Sequence, residues 1–185
     1  MNILIKNANV LLADGKVKIA DIAIKDSEIL AIENIPETFK AEKVIEGTDK
    51  LATAGFVNVH THVSMTLLRS YADDMKLMDW LENKIWPIEA KMKKEDIYWG
   101  AMLGIAEMIK SGTTTFADMY GDMDQVAQAC IDTDIRAVLS RGIIGVAPNG
   151  NQALEENKIL FRDFNNANDG KITVMFGPHA PYTCP

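Results

Sequence analysis

Three histidines are the only imidazoles in this 185-residue chain, and two of them, His60 and His62, are separated by a single threonine. On a β-strand, positions i and i+2 share a face, so both rings can converge on one ion. Imidazole is a common Zn²⁺ ligand, and two of them leave room for further ligands and a water. The competing reading is an accidental His-x-His pair in a loop. The context weighs against it. Ala54-Gly55-Phe56-Val57-Asn58-Val59-His60 is a nearly continuous apolar run, as expected of a strand buried on both faces, and the pair stands at its end. His179 also follows an expected strand, and α/β folds place their chemistry at the C-terminal ends of strands.

Two kinds of element must position these residues. Residues 1–53 read as short strands: Ile3-Leu4-Ile5, then Val10-Leu11-Leu12 stopped by the Asp14-Gly15 turn signal, then residues 18–25 with Ile22 and Ile24 on one face. Ile29-Leu30-Ala31-Ile32 and Val44-Ile45-Glu46 complete what spells a small antiparallel β-domain. From residue 54 to 185 the period changes. Residues 95–111 form the clearest helix, with Ile97, Ala101, Ile105 and Met108 in one stripe. Helices at 123–133 and 151–164 alternate with strands at 113–118, 135–139 and 172–176. Four strands alternating with helices imply a parallel sheet of right-handed βαβ units. That is half of a (β/α)₈ barrel, which needs about 250 residues.

Composition narrows the partners. With 19 Lys and Arg against 26 Asp and Glu, the net charge is −7, which argues against a nucleic-acid backbone. A hydrophobic share of 48% with 24% charged residues excludes disorder and fibrous repeats. Two distant cysteines, Cys130 and Cys184, make a disulfide scaffold a poor fit and a reducing compartment a good one. The N-terminus lacks signal-peptide character, and no apolar run approaches the ~18 residues a membrane span needs. A cytoplasmic location with no membrane partner is expected.

The segment Gly55-Phe56-Val57-Asn58-Val59-His60-Thr61-His62 resembles the first metal motif of the amidohydrolase superfamily. The resemblance covers essentially the whole chain. It narrows to the aminohydrolases that deaminate 5′-methylthioadenosine and S-adenosylhomocysteine through Ile85-Trp86-Pro87-Ile88-Glu89-Ala90, Arg141-Gly142 and Gly177-Pro178-His179-Ala180-Pro181-Tyr182. It implies an α/β fold: the N-terminal part of a metal-dependent (β/α)₈ TIM barrel preceded by a small, incomplete β-sandwich domain. It also implies one divalent ion, Zn²⁺ by preference, with His60 and His62 as two of its ligands. Such an ion acidifies bound water, which suits hydrolytic removal of the 6-amino group of an adenosine thioether.

The same resemblance assigns substrate-side roles. Glu89 would accept hydrogen bonds from the vicinal ribose hydroxyls, His179 would contact the nucleoside, and Arg141 another part of the substrate. Each residue has a plainer reading: Glu89 a solvated helix carboxylate, Arg141 an ion pair supporting a loop, His179 a histidine satisfied by backbone. Asp118 and Tyr120, at the end of the second barrel strand, could support the ligands from behind but are read as structural. Lys171 precedes the fourth strand and is poorly placed to bridge two metals, which favours a single ion. Met65, Met75, Met78, Trp80 and Trp86 read equally well as an apolar lid over an adenine or as core between helices.

Some features depart from the family pattern. Ala54 stands where proline is common, and a second arginine after the third strand has no counterpart in residues 146–153. The remaining metal ligands and the general acid/base belong to later strands, so no catalytic acid or base is expected here. A related aminohydrolase acting on guanine or a triazine, and a non-catalytic half-barrel module, are the alternatives. Four parallel strands leave two free edges. The chain is therefore expected to be ordered with a partner, either a C-terminal half or a second copy of itself.

Overall fold

A computed structural model describes residues 1–184 as two compact units, Met1–Ala54 and a second beginning at Gly55. The first contains β1 (Asn2–Leu11), β2 (Val17–Lys25), β3 (Glu28–Ile32), β4 (Lys43–Glu46) and β5 (Leu51–Ala52) in one five-stranded sheet. As the alternation requires, Ile22 and Ile24 share a face, packing with Ala8, Val10 and Ala20. Two expectations are corrected. The apolar runs around Ile3 and Val10 are one strand, bent by a bulge between Ile5 and Ala8 where Asn7 takes a left-handed φ of 55°. Asparagine tolerates that conformation because its short side chain bonds locally. The sheet is also mixed rather than antiparallel. Residues 33–42 carry the chain to the opposite edge of β1, where β4 and β5 pair with it in parallel.

The second unit alternates strand and helix. Its strands are β6 (Phe56–Thr61), β7 (Thr113–Tyr120), β8 (Arg136–Ile143), β9 (Ile172–Val174) and β10 (Gly177–Pro178). All pair in parallel, in the order β6-β7-β8, with β9 and β10 both on the far edge of β8. The expected fourth strand is thus two short pieces interrupted at Met175 and Phe176. A 3₁₀ turn (Val63–Leu68) follows β6. A broken helical run comes next: α1 (Leu77–Trp80), a π turn (Leu81–Ile85) and α2 (Trp86–Glu89), with Pro87 in the first turn of α2. The longer helices are α3 (Lys94–Lys110), α4 (Met123–Thr133) and α5 (Gly150–Phe164), and a short kinked α6 (Ala167–Gly170) precedes β9.

The core of this unit lies between the sheet and α3–α5. Ile97, Ala101 and Ile105 from the apolar stripe of α3 meet Phe116, Val126, Leu139 and Ile172, all buried. One expectation fails here. β6 is not buried on both faces: Phe56, Val57 and Val59 are 62%, 61% and 77% exposed. The reason is position, since β6 is the edge strand and pairs with β7 alone. Among the described residues no helix is long and apolar enough to cross a membrane.

Candidate metal and substrate site

His60 and His62 stand at and just beyond the end of β6, with ring centroids 5.1 Å apart and planes at 80°. The strand does not reach them by simple alternation. Asn58 pairs with Phe116 and Thr61 with Asp118, so β6 carries one extra residue at Val59-His60. Bulges of this kind re-aim side chains beside functional sites.

The donor chemistry of the pair suits a cation. Nδ1 of His62 lies 2.6 Å from the Met119 carbonyl oxygen. A carbonyl can only accept, so Nδ1 carries the proton, and Nε2 of the neutral ring keeps its lone pair. A metal-ligating histidine is ordinarily oriented in this way, by a hydrogen bond from its other ring nitrogen. Among the described residues no group of three or more His, Cys, Asp or Glu side chains converges. The pair therefore supplies two donors and leaves further ones to come from elsewhere.

The end of β7 holds this segment in place. Asp118 is buried, and its Oδ1 accepts from the Val63 amide at 2.9 Å and faces the Thr61 hydroxyl at 2.7 Å. Desolvation raises its pKa above the usual carboxylate value, against the opposing pull of the Thr61 and Val63 hydrogen bonds. Behind the turn, Ser64 donates to the Ile97 carbonyl and Thr66 to that of Gly100, at 2.9 and 2.6 Å. Glycine permits this approach: a Cβ on Gly100 would lie 2.4 Å from the Ser64 carbonyl oxygen, and one on Gly104 2.6 Å from Val63 Cγ2.

Tyr120 connects the histidine pair to Glu89. Its ring centroid is 6.4 Å from that of His62, and its hydroxyl donates to Glu89 Oε1. Burial first, and then the Glu89 carboxylate, push the phenol above its ordinary pKa, so at neutral pH it remains a donor. Sequence reasoning set Asp118 and Tyr120 aside as structural. The signal that marks them is alternation on β7: Phe116, Asp118 and Tyr120 are spaced by two, which puts a carboxylate at an inward position of a buried strand.

The other expected residues are placed unevenly. His179 and His60 line one groove of about 290 Å³, together with Asp118, Ser140 and Phe176. His179 Nδ1 is 3.2 Å from the Thr183 hydroxyl. Arg141 is bound up in the support of α5: Nε donates to Glu156 at 2.6 Å and Nη1 to the Gly142 carbonyl at 2.8 Å, the ion pair of the plainer reading. Lys171 pairs with Asp134. Met75, Met78 and Trp86 are exposed, and Trp80 donates its indole N–H to the Ala72 carbonyl. Those exposed side chains do not form core between helices.

A relative from Pelotomaculum thermopropionicum, named 5-methylthioadenosine/S-adenosylhomocysteine deaminase, is 54% identical over 100% of this chain and 44% of its own length. The chain thus spans less than half of the curated relatives it matches. A solved adenosine deaminase from Xanthomonas campestris with bound zinc is 31% identical, with a TM-score of 0.85 over 98% of this chain and 43% of that one. Guanine deaminase from C. acetobutylicum, with guanine bound, shares the fold at 18% identity and a TM-score of 0.76, over 100% of this chain and 48% of its own. The model of the amidohydrolase family matches residues 51–185, a span that includes every side chain of this site, and the chain belongs to that family.

Proposed function

We propose that these residues form the N-terminal, metal-holding part of a hydrolase that removes the 6-amino group of an adenosine thioether, 5′-methylthioadenosine or S-adenosylhomocysteine, as ammonia. The observation that carries this reading is the continuous path from His60 and His62 through Tyr120 to Glu89. In this reading the path joins cation donors and a diol-binding carboxylate in one constellation. Closely similar chains named for that activity support it.

In this reading the parallel sheet is the first half of a (β/α)₈ barrel, and the mixed sheet of residues 1–54 is part of a β-sandwich. His60 and His62 would hold one divalent ion, by preference zinc, with ligands from later strands. When bound, that ion supplies Lewis acidity and a more acidic water. Glu89 takes the two ribose hydroxyls, since its carboxylate offers two oxygens with about four lone-pair sites. His179 borders the nucleoside across the groove it shares with His60. Arg141, already held by Glu156, orders the loop beneath the substrate and meets it through what remains of its guanidinium. The two unpaired cysteines fit a cytoplasmic enzyme.

The test is substrate preference and its dependence on Glu89. The full-length protein is expected to turn over methylthioadenosine well ahead of guanine; the reverse order would favour a base deaminase on the same fold. In Glu89→Gln the charge-assisted bonds to the diol weaken. Bonds of that kind contribute about 1.5–3 kcal/mol, so kcat/KM for the nucleoside is expected to fall ten- to a hundredfold. Its 2′,3′-dideoxy analogue should be nearly indifferent to the substitution.

A further inference from the structure

We infer that Tyr120 is the positioning residue for Glu89, the side chain that fixes both the direction of that carboxylate and its distance from the metal-binding histidines. The inference rests on the reading of Glu89 given above. Glu89 ends a four-residue helix that follows a π turn, and its side chain is only half-buried. Such a carboxylate would sample several rotamers if nothing held it. Tyr120 closes an eight-residue strand paired in register with β8, where Tyr120 stands opposite Arg141. Its ring therefore moves little, and its hydroxyl engages Oε1 of Glu89.

One donor on one oxygen leaves most of the acceptor capacity of the carboxylate for a substrate diol. The same ring lies beside His62, with centroids 6.4 Å apart and planes tilted by 42°. One side chain thus spans the gap between the point where a ribose would be gripped and the point where a cation would be held. A 1 Å misplacement of a binding group can cost about a hundredfold in rate. A rigid spacer at this place would act on substrates that carry the diol and not on those that lack it.

The experiment compares Tyr120→Phe, Glu89→Gln and the double variant in the full-length protein, each with the nucleoside and its 2′,3′-dideoxy analogue. Phenylalanine keeps the ring and removes only the hydroxyl. For the nucleoside, kcat/KM is expected to fall about tenfold, mainly through KM, with less than about a twofold change for the dideoxy analogue. The double variant should be no worse than Glu89→Gln alone, because the two act as one unit. Metal content by elemental analysis should be unchanged. Equal losses on both substrates, additive losses in the double variant, or lost metal would overturn the inference. A Glu89→Gln enzyme that ignores the diol would instead overturn the reading of Glu89, and the role of Tyr120 with it.

Discussion

β6 and β7 lie side by side in one parallel sheet and end at the same site, yet they do opposite work. β6 carries or leads into the residues with recognisable chemistry, but it is an edge strand with exposed apolar side chains and a bulge at Val59-His60. β7 carries none of the expected ligands and is the better-buried strand. Its last three residues each hold part of the site: Asp118 the turn after His62, the Met119 carbonyl the His62 ring, and Tyr120 the Glu89 carboxylate. The lesson is a separation of tasks. The side chains with recognisable chemistry stand on one strand, and the hydrogen bonds that order them come from its neighbour.

The comparison breaks most visibly at the histidines. His60→Ala and His62→Ala are each expected to lose bound metal and nearly all activity in the full-length protein. Stability measured in chelator should shift by no more than about 1 kcal/mol. A large loss of apo stability in both variants would show that β6 orders the site itself.

A smaller, mixed effect is expected from Asp118→Ala. It strips the Val63 amide of its acceptor, at a cost of about 1–3 kcal/mol read from the denaturant midpoint. Because the turn beside His62 loosens, metal affinity should also drop ten- to a hundredfold, the range for outer partners of metal ligands. Asp118→Asn retains an acceptor oxygen and should recover most of both. Metal affinity untouched in Asp118→Ala would reduce β7 to a packing element.

The smallest departure is expected at the back of the turn. Gly100→Ala forces a methyl against the Ser64 carbonyl, and overpacking of this kind costs about 1–3 kcal/mol. The effect should stay in the thermal midpoint, with metal stoichiometry preserved, because Asp118 and Met119 still clamp the front. Loss of metal in this variant would mean that α3, and not β7 alone, sets the histidines.

The same separation decides what was legible in the sequence. The helix of residues 94–110, the helix of 123–133 and the parallel order of the strands follow from apolar periodicity, which burial enforces directly. The His-x-His pair is legible because its chemistry is local. The bulge that aims it is not, because it depends on register against β7, and register is a property of two segments. The single strand behind Ile3 and Val10, and the parallel pairing of β4 with β1, escape for the same reason. Asp118 was visible as a residue but not as a clamp, since its partners Thr61 and Val63 lie more than fifty positions away.

The extra residue in β6 has a consequence for how such a site can change over time. It offsets an opposite shift earlier in the strand: β7 has an extra residue, Thr114, between the partners of Phe56 and Val57, so Phe56 and Thr61 share one register while Val57 and Asn58 follow another. Substitutions that refit the first end to new neighbours need not rotate the histidines. Deleting Val59 would remove the extra residue and change the face to which His60 points, while the Thr61–Asp118 pairing and the Met119 carbonyl would still hold His62. The strand is therefore tolerant of replacement and intolerant of changes in length, an asymmetry that lets a lineage vary its packing while inheriting its chemistry intact.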